Sequence, residues 1–128
     1  MNGDGSLHIL HIEDDESHAE SIWKVLDASG LDYHVTLVSR RGSYEKTLKD
    51  GGVDVVLSDS RGLDFEGEEA LRHVHANYPR LPFLFLSGSY ASRDPQGLKA
   101  EGATECLHKG HLHDLVPIIR RAVVAAIH

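Results

Sequence analysis

The chain has 128 residues, 41% hydrophobic and 26% charged, which fits one globular domain with a single core rather than a disordered segment. A formal net charge of −7 argues against a general binder of nucleic acid or anionic membrane, because phosphate contacts need a basic face. The single cysteine, Cys106, excludes an internal disulfide and makes a reducing cytoplasm the expected compartment; no apolar run approaches the roughly 20 residues that span a bilayer, and no signal peptide precedes the first strand.

Residues 1–6, rich in Gly and polar side chains, are expected to form a loose, flexible tail before one domain over 7–128. Ile9-Leu10-His11-Ile12 reads as a strand and is followed directly by Glu13-Asp14-Asp15. From about Ser17 to Ser29, Ala19, Ile22, Trp23 and Leu26 recur at helical steps, with Gly30 as the stop. Tyr33 to Val38 is the next strand, then a short helix over Ser43 to Lys49, and Gly51-Gly52 turns the chain into the strand Val53 to Ser58, which ends at Asp59.

A third helix over about Glu68 to Tyr78 turns Ala70, Leu71 and Val74 to the core. Pro79 and Pro82 bracket the turn into Phe83-Leu84-Phe85-Leu86, followed by Ser87. Asp94-Pro95 reads as an N-cap and a first-position proline, and Gly102 as a stop. Gly97 between them costs about 1 kcal/mol relative to Ala, so this fourth helix is expected to be short or mobile. Cys106-Leu107-His108 leads to Lys109, and the last helix opens near Asp114, with Pro117 in its first turn and Val116, Ile119, Ala122, Val123 and Ala126 facing inward.

Five strand–helix repeats predict an α/β fold, a parallel sheet covered on both faces. In such sheets ligands bind beyond the carboxyl ends of the strands, where Glu13, Asp14, Asp59, Ser87 and Lys109 all fall. Two carboxylates about 4 Å apart repel by about 4 kcal/mol at an effective dielectric of 20, a repulsion that a hard divalent cation such as Mg²⁺ relieves. Lys109 brings a positive charge and Ser87 a hydroxyl suited to phosphoryl oxygens. Each residue alone also reads as an ordinary solvated loop acid, a surface lysine or a serine capping a turn; the combination points to a cation and phosphoryl site.

The blocks ILHIEDDESHAE, VVLSDSRGLDFEGEEAL, LFLSG and GATECLHKG resemble the successive signatures of response-regulator receiver domains, over about Leu7 to Ile127. The spacings agree: 45 residues from Asp14 to Asp59, 28 to Ser87 and 22 more to Lys109. The ending HKGHLHDLVPIIRRAV is similar to receivers attached to sensor or hybrid histidine kinases. The resemblance implies a flavodoxin-like three-layer sandwich with strand order 2-1-3-4-5. It implies that Asp59 accepts the phosphoryl group, that Asp14, Asp59 and the backbone carbonyl of Arg61 hold Mg²⁺, and that Glu13 acts through water. Ser87 takes the place of the switch hydroxyl and Lys109 that of the phosphate-pairing lysine, within a switch region of Ser87, Gly88, Tyr90 and Cys106. The implied partners are a histidine kinase or histidine phosphotransfer protein and a downstream protein. The domain would be a phosphoacceptor rather than an enzyme, promoting its own phosphorylation and dephosphorylation.

Three departures from the family pattern bear on the readout. Cys106 stands where most receivers carry an aromatic residue, Leu63 where a proline is usual, and Arg61 where a smaller or neutral residue is common. Tyr90 is the nearest aromatic to take over the relay, unless it is an ordinary loop residue. A second reading is therefore a receiver-like interaction module that is not phosphorylated. The ten histidines are scattered, and the i,i+2 pairs His73/His75 and His111/His113 do not share a helix face; His18 follows the acids closely, Cys106 suits a small core side chain and Trp23 suits the core. Arg120 to Val124 packs on the sheet alone or also on a twin, leaving a homodimer open. The chain is expected to be either a single-domain receiver or one domain of a larger kinase.

Overall fold

In a computed structural model of the chain the described residues are 6–58, 66–87 and 95–127, the side chains of Ser87, Pro95, Lys109 and Ile127 excepted. Five strands, β1 (Leu7–Ile12), β2 (Tyr33–Val38), β3 (Val55–Ser58), β4 (Phe83–Ser87) and β5 (Glu105–His108), form one parallel sheet in the order β2-β1-β3-β4-β5. The helices are α1 (Glu16–Ala28), α2 (Arg41–Asp50), α3 (Gly67–Asn77), α4 (Pro95–Ala100) and α5 (Leu115–Ile127), with a 3-10 turn over Lys109–Asp114 before the last. No helix among the described residues is long and apolar enough to cross a membrane.

Strand alternation divides the core in two. Leu7 and Ile9 of β1 point with Leu57, Leu84 and Leu86 toward α1 and α5, where Leu26, Leu115 and Ile119 close the layer. Leu10 and Ile12 point the other way with Val56 and Phe85, against Tyr44, Leu71 and Val74 of α2 and α3. Tyr44 is fully buried, and its hydroxyl donates to the Ala70 carbonyl at 2.8 Å, tying α2 to α3.

Several boundaries differ from the sequence reading. The third strand begins at Val55, not Val53, because the Asp54 carboxylate accepts the His8 N–H at 2.8 Å while the Asp54 N–H donates to the His8 carbonyl at 2.9 Å. The second helix opens at Arg41, two residues before the expected start, and the Arg41 guanidinium bonds Glu69 of α3. The last helix opens at Leu115 because the 3-10 turn occupies the preceding residues. Pro95 opens α4, which spans six residues, as its weak sequence implied, while Asp94 lies outside the described residues. Residues 1–5 of the expected tail also lie outside them, and Ser6 hydrogen-bonds His34 at 3.1 Å.

Gly102 ends the α4 turn at φ +117°, and a Cβ there would stand 2.6 Å from His75 Nδ1. Gly102→Ala should therefore destabilise the domain by about 1–2 kcal/mol or more in urea unfolding, and His75→Ala should restore only the steric part, because the backbone strain remains.

Tyr33 provides a stability term at high pH. Partial burial first, and its 2.6 Å hydrogen bond to Asp27 second, push its pKa from 10.0 up to about 12. The neutral phenol is favoured by folding, so this contribution is complete below pH 10.0 and is lost as pH rises toward about 12. In thermal melts the advantage of the wild type over Tyr33→Phe should shrink across that interval.

Candidate functional site

The sheet register determines what meets at its carboxyl edge. Ile12 is the partner of Ser58, Ser58 of Phe85, and Ser87 of His108. Glu13, Ser87 and the backbone of Lys109 therefore stand at the ends of β1, β4 and β5, and Ser58 is the residue before Asp59. Asp59, Arg61, Leu63, Gly88 and Tyr90 lie outside the described residues, as do the side chains of Ser87 and Lys109. The structure thus brings together the acid side of the site and the backbone positions of the hydroxyl and the amine.

The three acids after β1 have three different environments. The Glu13 N–H continues the ladder one step past the strand, donating to the Val38 carbonyl at 3.0 Å, and the residue is buried at 3% exposure. One of its oxygens accepts the Asp14 N–H at 3.1 Å, and His18 Nδ1 lies 3.9 Å from the other. Asp14 is exposed, its carboxylate open to water and to a cation. Asp15 belongs to the helix: it is the N-cap of α1, accepting from the Ser17 hydroxyl at 2.6 Å and from the Ser17 and His18 N–H groups at 2.9 and 3.4 Å. These bonds, the Ser17 hydroxyl foremost, hold its carboxyl below the ordinary value of 3.8.

His18 is exposed, as expected, and reaches both Glu13 and Asp15 at 3.9 Å. Cys106 is half-buried, its β4 partner being Phe85, and it packs on the α2/α3 side of the core. Trp23 is not simply core: it is partly buried, and its indole N–H donates to His11 Nδ1 at 3.2 Å, giving the buried imidazole of β1 a partner. Two features escaped sequence reading, this His11–Trp23 bond and a bond from the Gly110 N–H to the ring of His108 at 2.9 Å. A histidine alternating with apolar residues in a strand was the available signal for the first. For the second it was a histidine standing between a strand and Lys-Gly.

The chemistry at this edge is that of oxygen donors. One buried carboxylate and one exposed carboxylate, consecutive in sequence, suit a hard divalent ion that keeps part of its water. A cleft of about 360 Å³ lined by Pro79, Arg80, Pro82, Thr104 and Ala126 opens at the opposite, amino-terminal edge of the sheet and contains no acid. It plays no part in this site.

A three-layer α/β domain with strand order 2-1-3-4-5 and an acidic carboxyl edge belongs to the flavodoxin-like class. No family model matches the chain. A response regulator receiver domain protein from Clostridium thermocellum superposes with a TM-score of 0.77 at 25% identity, over 93% of this chain and 95% of that one. The cell cycle response regulator CtrA of Brucella ovis is 28% identical over 122 residues, 95% of this chain and 49% of that protein, so the chain spans about half the length of the curated relatives it matches. The receiver domain of a sensor histidine kinase from Pseudomonas aeruginosa PAO1, solved with a magnesium ion coordinated in its active site cleft, shares the fold with a TM-score of 0.77 at 24% identity, over 93% of this chain and 98% of that one. The strand order and the sequence likeness both point to response-regulator receiver domains, which the chain resembles over more than nine-tenths of its length.

The division of labour among the acids has a measurable consequence. Asp15→Ala should lower the melting temperature near neutral pH. Because the folded-state pKa is depressed, the stabilisation is present above the ordinary value of 3.8 and is lost as pH falls below it. The gap between wild type and Asp15→Ala melts should therefore narrow in acid.

Proposed function

We propose that this domain accepts a phosphoryl group on Asp59 from the phosphohistidine of a histidine kinase or phosphotransfer protein. An Asp59 carboxylate oxygen attacks phosphorus in line, the P–N bond breaks, and the donor imidazole leaves with the bonding electrons and takes a proton. Asp14, Asp59 and the Arg61 backbone carbonyl are the proposed direct metal ligands, with Glu13 acting through water. Bound Mg²⁺ would offset the charge on the phosphoryl oxygens. Lys109 supplies the matching cation from the end of β5, and Ser87 a hydroxyl from the end of β4.

The observation that carries this reading is Glu13. Its carboxylate is buried at 3% exposure at the carboxyl end of β1, where it accepts the Asp14 N–H at 3.1 Å. Standing at the open end of a strand beside exposed Asp14, it supports a site organised around a cation. The domain is proposed to promote its own phosphorylation and later hydrolysis of the acyl phosphate, to act in the cytoplasm, and to pass the signal to a downstream protein through the Ser87, Gly88, Tyr90 and Cys106 region. Half-burial of Cys106 leaves a smaller side chain than an aromatic to move there.

Intact-mass spectrometry after incubation with Mg²⁺ and acetyl phosphate tests the acceptor. The expected result is a single phosphoryl adduct, absent in Asp59→Asn and formed at least about tenfold more slowly in Lys109→Ala. An adduct that survives Asp59→Asn would overturn the assignment. No adduct with either acetyl phosphate or a phosphohistidine donor would favour the interaction module.

A further inference from the structure

Lys109 owes its place to a turn, and that turn is closed by a side chain with no role so far. His108 is the last residue of β5 and the register partner of Ser87. It is also the N-cap of the 3-10 turn Lys109–Asp114, and its Nδ1 accepts the Gly110 N–H at 2.9 Å. The bond spans the backbone of Lys109 and fixes the direction in which the chain leaves the sheet. Gly110 makes room for it, since a Cβ there would come within 2.9 Å of Nδ1 and 3.2 Å of Cε1 of the same ring.

The bond demands one protonation state. Only an unprotonated Nδ1 accepts a backbone N–H, so the imidazole must be neutral with its proton on Nε2. Protonation places a second N–H against that of Gly110 and replaces attraction with repulsion. The surroundings add to the effect: the His111 ring lies 5.7 Å from that of His108, and the His113 ring 6.1 Å from that of His111. Asp114 stands 3.5 Å from His113. The elements packed on the turn carry Glu16, His18, Glu20, Lys24 and Asp27 on α1, Glu105 and Cys106 on β5, and Arg120 and Arg121 on α5, and none of these forms an ion pair with His108 among the described residues.

We infer that His108 is a positioning residue for Lys109: its neutral imidazole holds the turn through which the backbone of Lys109 leaves β5, and protonation of the ring breaks that bond. This rests on the proposed pairing of Lys109 with the phosphoryl group, and makes the rate of phosphoryl acceptance depend on pH through a residue that touches no substrate. Asparagine is an N-cap that does not titrate, so His108→Asn keeps the bond at every pH and His108→Ala loses it at every pH.

The test has two readouts. In NMR titrations from about pH 8 to 5.5, the Gly110 amide of the wild type should shift with the same midpoint as the His108 ring, and in His108→Asn that component should be absent. In acetyl phosphate labelling with Mg²⁺, rates compared between variants at each pH cancel the donor's own pH dependence. The wild type should match His108→Asn at pH 8 and fall about fivefold below it at pH 5.5, the scale of one lost cap. His108→Ala should be slow by a similar factor throughout. A Gly110 amide indifferent to the His108 titration, or coincident wild-type and His108→Asn rate profiles, would overturn the positioning role while leaving the acceptor intact. No adduct in the wild type at any pH would overturn the phosphoacceptor reading, and with it His108's part in the reaction, although the amide titration would still report the cap.

Discussion

The parallel pairing of β1 with both its neighbours is the constraint on which the rest depends. Leu7 to Ile12 lie in register with Tyr33 to Val38 on one side, and Ile9 to Ile12 with Val55 to Ser58 on the other. Because side chains alternate, that register decides at once which residues meet α1 and α5 and which meet α2 and α3. A shift of one residue would exchange the two core layers, setting Ile9 against α2 and α3 and Leu10 against α1 and α5. The same register carries Glu13 one step beyond the strand with its N–H still bonded to β2. Strand pairing thus holds a buried acid at the end of β1, and Asp14 emerges into solvent as the next residue in the chain.

The fold was largely legible because its strands are short apolar runs separated by helical periods and by Gly or Pro turns. Tyr33 to Val38 reads from sequence with the bounds it has in the structure. The errors lie where a tertiary partner sets the boundary. Val53 and Asp54 look like strand residues, yet Asp54 spends its carboxylate on the His8 backbone, a choice that depends on a residue 46 positions away. Arg40 and Arg41 offer no capping side chain to announce α2, and Glu69 of α3 supplies the contact at that end instead. Lys109 to Asp114 carries no helical stripe, and its 3-10 form follows from the closing bond at His108.

The site was legible as a set of residue types and spacings, and less so as a set of environments. Three consecutive acids look equivalent in sequence. In the structure one is buried, one is exposed and one is committed to a helix cap. What separates them is the direction of the chain as it leaves β1, which no local pattern encodes. The spacing of Asp59, Ser87 and Lys109 carries the family likeness, and the likeness in turn gives those positions their proposed roles.

The two sides of this edge are held by different forces. Glu13 is fixed by a strand ladder and by burial, so displacing it means disturbing the sheet between β1 and β2. The backbone of Lys109 departs from the end of a four-residue strand into a turn whose Gly110 N–H is held by the exposed ring of His108. Backbone bonds inside a cooperative sheet open with it, whereas a single exposed cap opens on its own at a cost of about 1 kcal/mol. In a phosphoacceptor the metal-holding side should be rigid, because its carboxylates repel one another unless their geometry is enforced. The cationic side has to meet phosphoryl oxygens that arrive and depart. A firm acid half and a turn held by one bond fit that difference.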